Sequence, residues 1–144
     1  MIEKQEFYHG AALIRLLEDE KCKSVRKHGT GYRVNDGIFL LLKYSTKSRT
    51  PWGFGFGRDE VERLNQAAQS FSGVAVALIC GGDGVCGMTW ESVEELLGGK
   101  DGWLSASRKF GGQYAVAGPI GKMKGKIPLN RWPSFLFTNG DEGP

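Results

Sequence analysis

Apolar positions along this chain fall into a few strong patterns. Between Glu6 and Glu20, Phe7, Ala11, Ile14 and Leu17 recur at helical spacing, with Leu13 and Leu16 beside them. This predicts a first helix that buries that stripe. A second helix is expected in "RDEVERLNQAAQSFSG", where Val61, Leu64, Ala68 and Phe71 share a face. There Asp59 and Glu62 have the spacing of a capping box, and Gly73 is placed to stop the helix. A short third helix, "WESVEELL", follows Thr89 as its cap and closes on Gly98-Gly99. The segment "VAVALIC", 74–80, is apolar at every position and predicts a central strand covered on both faces.

The remaining runs are short and alternate or end at turn residues. "CKSVRKHG" reads as a strand, and "GYRVNDGIFLLLKYS" as a hairpin turning at Asn35-Asp36-Gly37. "WGFGF" is a further strand whose glycines suggest a bulge or a close backbone approach. "GGDG" turns the central strand into "VCGMTW". After the third helix, "GWLSASRKF", "QYAVAG" and "KIPL" read as strands. The order predicts one mixed α/β domain over 1–137, a mixed sheet with helices against it and a β-rich C-terminal extension. Residues 138–144 are expected to be a frayed tail.

Composition adds limits. A chain of 144 residues with 40% apolar and 24% charged positions can bury a core without staples. Its longest unbroken apolar run, Val74 to Cys80, is too short to cross a bilayer, so no membrane partner is expected. The N-terminal "MIEKQEFYHG" has no apolar signal core, which makes the cytoplasm the expected compartment. Three cysteines without framework spacing agree with a reducing environment and with buried free thiols. With His9 and His28 as the only histidines and no Cys-x-x-Cys pair, the pattern gives no zinc site.

Net charge is only +3, but its distribution is uneven. Between Lys21 and Thr50 there are eight Lys/Arg against one acid, Asp36; between Trp103 and Asn139 there are six and no acid. If these segments fold together they make a face of one sign, the footprint of a polyanion partner. Lysines that merely solvate strand edges give the same count. The loop "STKSRTPW" adds hydroxyls and an aromatic to two cations, a composition suited to phosphate and sugar contacts. "RKFGGQY" through "RW" interleaves cations with Phe110, Tyr114 and Trp132, which suits stacked single-stranded nucleic acid or an ordinary sheet core. The candidate contacts are Arg26, Lys27, His28, Lys43, Lys47, Arg49, Arg108, Lys109, Lys122, Lys124 and Lys126.

Lys43 is the unusual one, since it closes the apolar run "GIFLLL". The element order "FYHGAALIRLLEDEKCKSVRKHGTGYRVNDGIFLLLKYSTKS" followed by "DEVERLNQAAQSFSGVAVALIC" resembles the Holliday-junction-resolvase-like branch of the PD-(D/E)XK nuclease superfamily. The likeness covers about residues 6–80. It implies a hairpin whose second strand ends in an acid-x-Lys motif, with Lys43 matching the family lysine. In that family an Asp on the first hairpin strand and the acid two residues before the lysine hold Mg²⁺, while the lysine serves the attacking water. Here the residue two before Lys43 is Leu41, and "GTGY" supplies no Asp. Glu6 and Asp36 are the vestigial carboxylate candidates, Asp36 sitting in a turn that favours it in any case.

Three roles stay open to Lys43: a strand-end lysine with its head in water, an anion-binding remnant, or a catalytic group served by carboxylates from elsewhere. The preferred expectation is a non-catalytic member of this fold that binds nucleic acid as a subunit of a DNA-processing or defence assembly. A protein-interaction module, inhibitor or adaptor, using the basic face is the alternative. A metal-dependent nuclease with relocated carboxylates is the third. No cofactor or metal is expected, Mg²⁺ entering only with the nuclease.

Overall fold

The computed structural model describes residues 1–138. Its elements follow the expected order: α1 (Lys4–Glu18), β1 (Val25–His28), β2 (Gly31–Val34), β3 (Ile38–Ser45), β4 (Trp52–Phe56), α2 (Arg58–Ser70), β5 (Gly73–Cys80), β6 (Gly84–Thr89), α3 (Trp90–Leu97), β7 (Gly102–Ser107), β8 (Ala115–Gly118) and β9 (Gly121–Lys122). Two 3-10 turns, Leu129–Arg131 and Ser134–Phe137, finish the described chain. The domain is mixed α/β. The tail expectation, apart from Thr138, lies outside the described residues.

The strands form two sheets. Sheet A has the order β1-β2-β3-β5-β6, and sheet B the order β4-β7-β8-β9. In sheet A, β3 and β5 run parallel over eight paired positions, Ile38 with Gly73 through Ser45 with Cys80. A parallel pair needs a crossover, and α2 supplies it. Every other pairing is antiparallel. The apolar runs Ile38–Leu42 of β3 and Val74–Cys80 of β5 follow, because both faces of these strands are covered there. Phe39, Leu41, Val76 and Leu78 meet α2, α3 and sheet B on one side, whereas Leu40, Leu42, Ala75, Ala77 and Ile79 meet α1 on the other. Trp132 Nε1 donates to the Ala12 carbonyl at 3.2 Å, pinning the C-terminal turns to α1.

Several expectations shift. The C-terminal strands form the expected β-rich extension as a sheet separate from sheet A. They take β4 from the first half of the chain and build a sheet of their own. β4 pairs without interruption from Trp52 opposite Ala106 to Phe56 opposite Gly102, so it has no bulge. A Cβ at Gly53 or Gly55 would meet open space, so neither marks a close approach. The strand expected at "KIPL" shrinks to one bridge, Ile127 with Tyr114, because Pro128 has no N–H to continue a ladder. The last strand is instead Gly121–Lys122.

The helices also differ in detail. α2 starts after Gly57, so Asp59 and Glu60 lie in its first turn and no Asp59–Glu62 capping box forms. Its buried face is Val61, Leu64 and Ala67 rather than Ala68. Thr89 caps α3 as expected, accepting from Ser92 N–H at 3.2 Å, and Gly98 ends it in the left-handed region. The largest departure is α1, which buries Ala12 and Leu16 and leaves Phe7, Ile14 and Leu17 mostly in solvent.

Candidate functional site

β2 pairs with β3 only as far as Leu40, while β3 continues to Ser45. On that side the second half of β3 therefore borders a gap. The gap is a cleft of about 480 Å³ lined by Gln5 and His9 of α1, Lys27, Thr30, Leu41 to Tyr44 of β3, Gly53 to Gly55 of β4, and Glu60. It lies beside the carboxyl-terminal half of β3.

Lys43 sits at this cleft and is not a free strand-end lysine. Its Nζ donates to Glu60 Oε1 at 2.6 Å, with side chains 17% and 26% exposed. The ammonium also lies 4.7 Å from the centroid of Phe56. The α2 crossover explains the pair: a helix linking parallel β3 to β5 must begin over the end where β3 stops. Sequence reasoning named Asp59 and Glu62 as helix-capping residues and gave Glu60 no role, although the crossover itself could have placed Glu60 against Lys43.

His9 and Tyr44 meet edge to face at 5.8 Å, and Tyr8 stacks on Tyr44 at 5.2 Å. Burial and the nearby Lys27 ammonium hold the His9 imidazole below its usual range, favouring the neutral ring.

The other family-derived positions are dispersed. Glu6 accepts from the Glu3 N–H at 2.8 Å as half of a capping box on α1. Asp36 stands at the hairpin tip with φ +62°, paired with Arg26, at the opposite end of β3 from Lys43. Leu41 is buried in the core. A divalent ion would find one carboxylate here, Glu60, already held by Lys43, so the donor set does not fit Mg²⁺. Among the described residues no three His, Cys, Asp or Glu converge on a point.

The basic segments meet in part. Residues 46–51 leave β3 as an exposed loop that is fixed at its root. Trp52 Nε1 donates to the Lys47 carbonyl at 2.9 Å, and Gly81, with φ +55°, lets that carbonyl approach where a Cβ would collide. At the loop's far end Thr50 Oγ1 accepts from the Arg108 N–H at 3.1 Å. Thr50 and Pro51 thus share a second cleft with Lys109 and Lys126. Lys47, Arg49, Lys109, Lys122, Lys124 and Lys126 are exposed and form no ion pair among the described residues.

The outer face of sheet B joins these cations. The cross-strand row Gly53–Ser105–Ala117–Lys122 projects to one side, and Gly53 also lines the Lys43 cleft. Trp103, half exposed, stands on the same face opposite Gly55, which has no side chain to cover it. The surface is side-chain-poor, with lysines along its far edge.

Other candidates are placed differently. Arg26 lies at the hairpin tip with Asp36, and His28 packs edge-on against Phe39 and Phe71 at 5.9 and 5.2 Å. Arg108 is turned inward. Its Nε and Nη2 grip Asp83 at 2.8 Å each, and Tyr114 donates its hydroxyl to the same carboxylate at 2.8 Å. The Arg108 fork, with burial opposing and Tyr114 assisting, holds Asp83 below the usual carboxylate range. Burial first, then the neighbouring Cys80 and Asp83, pushes the Tyr114 hydroxyl up. Cys80 and Cys86 are buried free thiols, Cys80 raised by burial to about 12. No described helix is long and apolar enough to cross a membrane.

No family model matches the chain, and neither a curated protein nor a solved structure is significantly similar to it.

Proposed function

We propose that this protein binds nucleic acid and does not cut it, through the cationic surface formed by the 46–51 loop and the outer face of sheet B. The observation that carries the reading is the meeting of the two cation-rich segments, with Thr50 and Pro51 beside Lys109 and Lys126 in one cleft. Unpaired cations on an exposed loop and along the edge of a sheet neutralise phosphates without reading bases. Trp103 offers a stacking surface for an unpaired base on the same face. The nuclease resemblance supports a nucleic-acid partner, while Leu41 in place of the metal-binding acid supports binding without cleavage. A role as one subunit of a DNA-processing or defence assembly follows from that pairing.

The test is binding at several salt concentrations to duplex and single-stranded oligonucleotides. The slope of log K against log salt should be about −0.9 per phosphate neutralised on duplex and about −0.7 on a single strand. Joint replacement of Lys47, Arg49, Lys122 and Lys124 by alanine should abolish binding at low salt without unfolding the domain. Equal affinity in the quadruple variant would sink the proposal. Incubation with Mg²⁺ or Mn²⁺ should give no cleavage above background, and cleavage abolished by Lys43→Ala would overturn the non-catalytic part.

A further inference from the structure

α1 is apolar on two opposite sides. At 3.6 residues per turn, Ala12 and Leu16 point at sheet A with Tyr8 and Leu13 beside them, whereas Phe7 and Ile14 lie on the far side. Phe7, Ile14 and Leu17 remain 60%, 58% and 61% exposed, with Gly10 and Ala11 between them. Single exposed apolar residues need no explanation, but three on one helix face make a continuous patch.

We propose that this face is a self-association surface, two copies of α1 packing antiparallel about a two-fold axis near Ala11. The face is self-complementary under that operation. Pairing Ala11 with its own copy brings Phe7 over the hole between the partner's Ala11 and the partner's Ile14. The small residues Gly10 and Ala11 fall at the crossing, where the helices approach closest. The same register sets Lys4 opposite the partner's Glu18 on one flank, and symmetry makes that contact twice. Lys4 and Glu18 are both exposed and form no ion pair among the described residues. A parallel pair would instead set like ends together and lose both contacts.

A helix of 15 residues is about 22 Å long, so one such pair buries less than the roughly 1,200 Å² of a standard interface. The dimer is therefore a weak one, forming at concentrations on the order of 10–100 μM. Neither the nucleic-acid reading nor its test enters into it.

Sedimentation of the full chain without nucleic acid, from a few micromolar to several hundred, should show the mass rising from monomer towards dimer. Ile14→Glu should raise the dissociation constant at least about tenfold with the far-ultraviolet spectrum unchanged. Lys4→Glu should weaken association, and adding Glu18→Lys should restore it. Under mild oxidation, Ala11→Cys should cross-link to itself, as the dyad requires. A chain that stays monomeric throughout, or a dimer indifferent to Ile14→Glu, would overturn the proposal.

Discussion

Two ion pairs lie at the same end of sheet A, and their surroundings differ in kind. Asp83, in the turn after β5, accepts two bonds from the Arg108 fork and one from Tyr114. The remaining Arg108 nitrogen, Nη1, donates to the carbonyls of Lys109 and Gly112 at 3.4 and 3.1 Å. The cluster ties the β5–β6 turn to the end of β7 and to the fully buried Tyr114, and four of the five Arg108 N–H donors have an acceptor. Lys43 has three N–H donors, of which one is matched, to Glu60, beside an open cleft. A saturated pair holds structure together. An unsaturated one at a cleft can exchange partners, so the Lys43 cleft, and not the Asp83 cluster, is where the proposed binding surface could extend.

The sharpest way to test that contrast is to disturb the saturated side. Asp83→Asn keeps the shape but turns an amide NH₂ toward the Arg108 fork and leaves a donor facing donors. The expected loss is about 2–4 kcal/mol by chemical denaturation, because the partners left behind are largely out of water. The pH dependence has a definite sign. Asp83 is held below its ordinary 3.8, so its contribution is present above that value and fades as pH falls through the depressed one. The difference between parent and variant should therefore be widest at neutral pH, begin to shrink as pH falls below about 3.8, and close only below the depressed value, where a protonated Asp83 is as neutral as asparagine. A gap that persists unchanged at low pH would mean that the loss comes from turn geometry rather than from charge.

How much of this could be read from the chain depends on how local each signal is. The element order was legible because β3 and β5 are apolar runs of strand length bounded by turn residues and α2 carries a helical period. The partition into two sheets was not, since β4 pairs with a strand about fifty residues downstream and nothing in "WGFGF" names its partner. α1 misled for a physical reason. Its stripe at Phe7, Ile14 and Leu17 and its stripe at Tyr8, Ala12 and Leu16 both have helical spacing, and the second one packs on the sheet. The cleft was half legible: Lys43 stood out as a cation ending an apolar run, but Glu60, His9 and Tyr44 reach it only through the fold. Arg108 read as one cation among several because Asp83 is 25 residues away. The capping box that formed, Glu3 with Glu6, was hidden by reading Glu6 as a site residue.

The smaller effect lies on the unsaturated side and concerns binding more than stability. Glu60 is partly exposed, so Glu60→Gln can turn its amide to water, and the loss of the ion pair should cost about 1 kcal/mol or less. What changes is the charge available in the cleft. With Glu60 ionised, the carboxylate offsets Lys43 and the pair presents no net charge to a polyanion. Glu60→Gln leaves the Lys43 ammonium, with Lys27 lining the same cleft. If the bound strand passes over Gly53 from the sheet B face into this cleft, the variant gains about one phosphate contact. Its affinity should then rise at low salt, and the slope of log K against log salt should steepen by about 0.7 to 0.9. Lys43→Met in the same background should remove the gain and return the slope to the parent's value. A slope unaffected by Glu60→Gln would confine binding to the 46–51 loop and the lysines of sheet B, and would leave Lys43 and Glu60 as a second structural pair like Asp83 and Arg108.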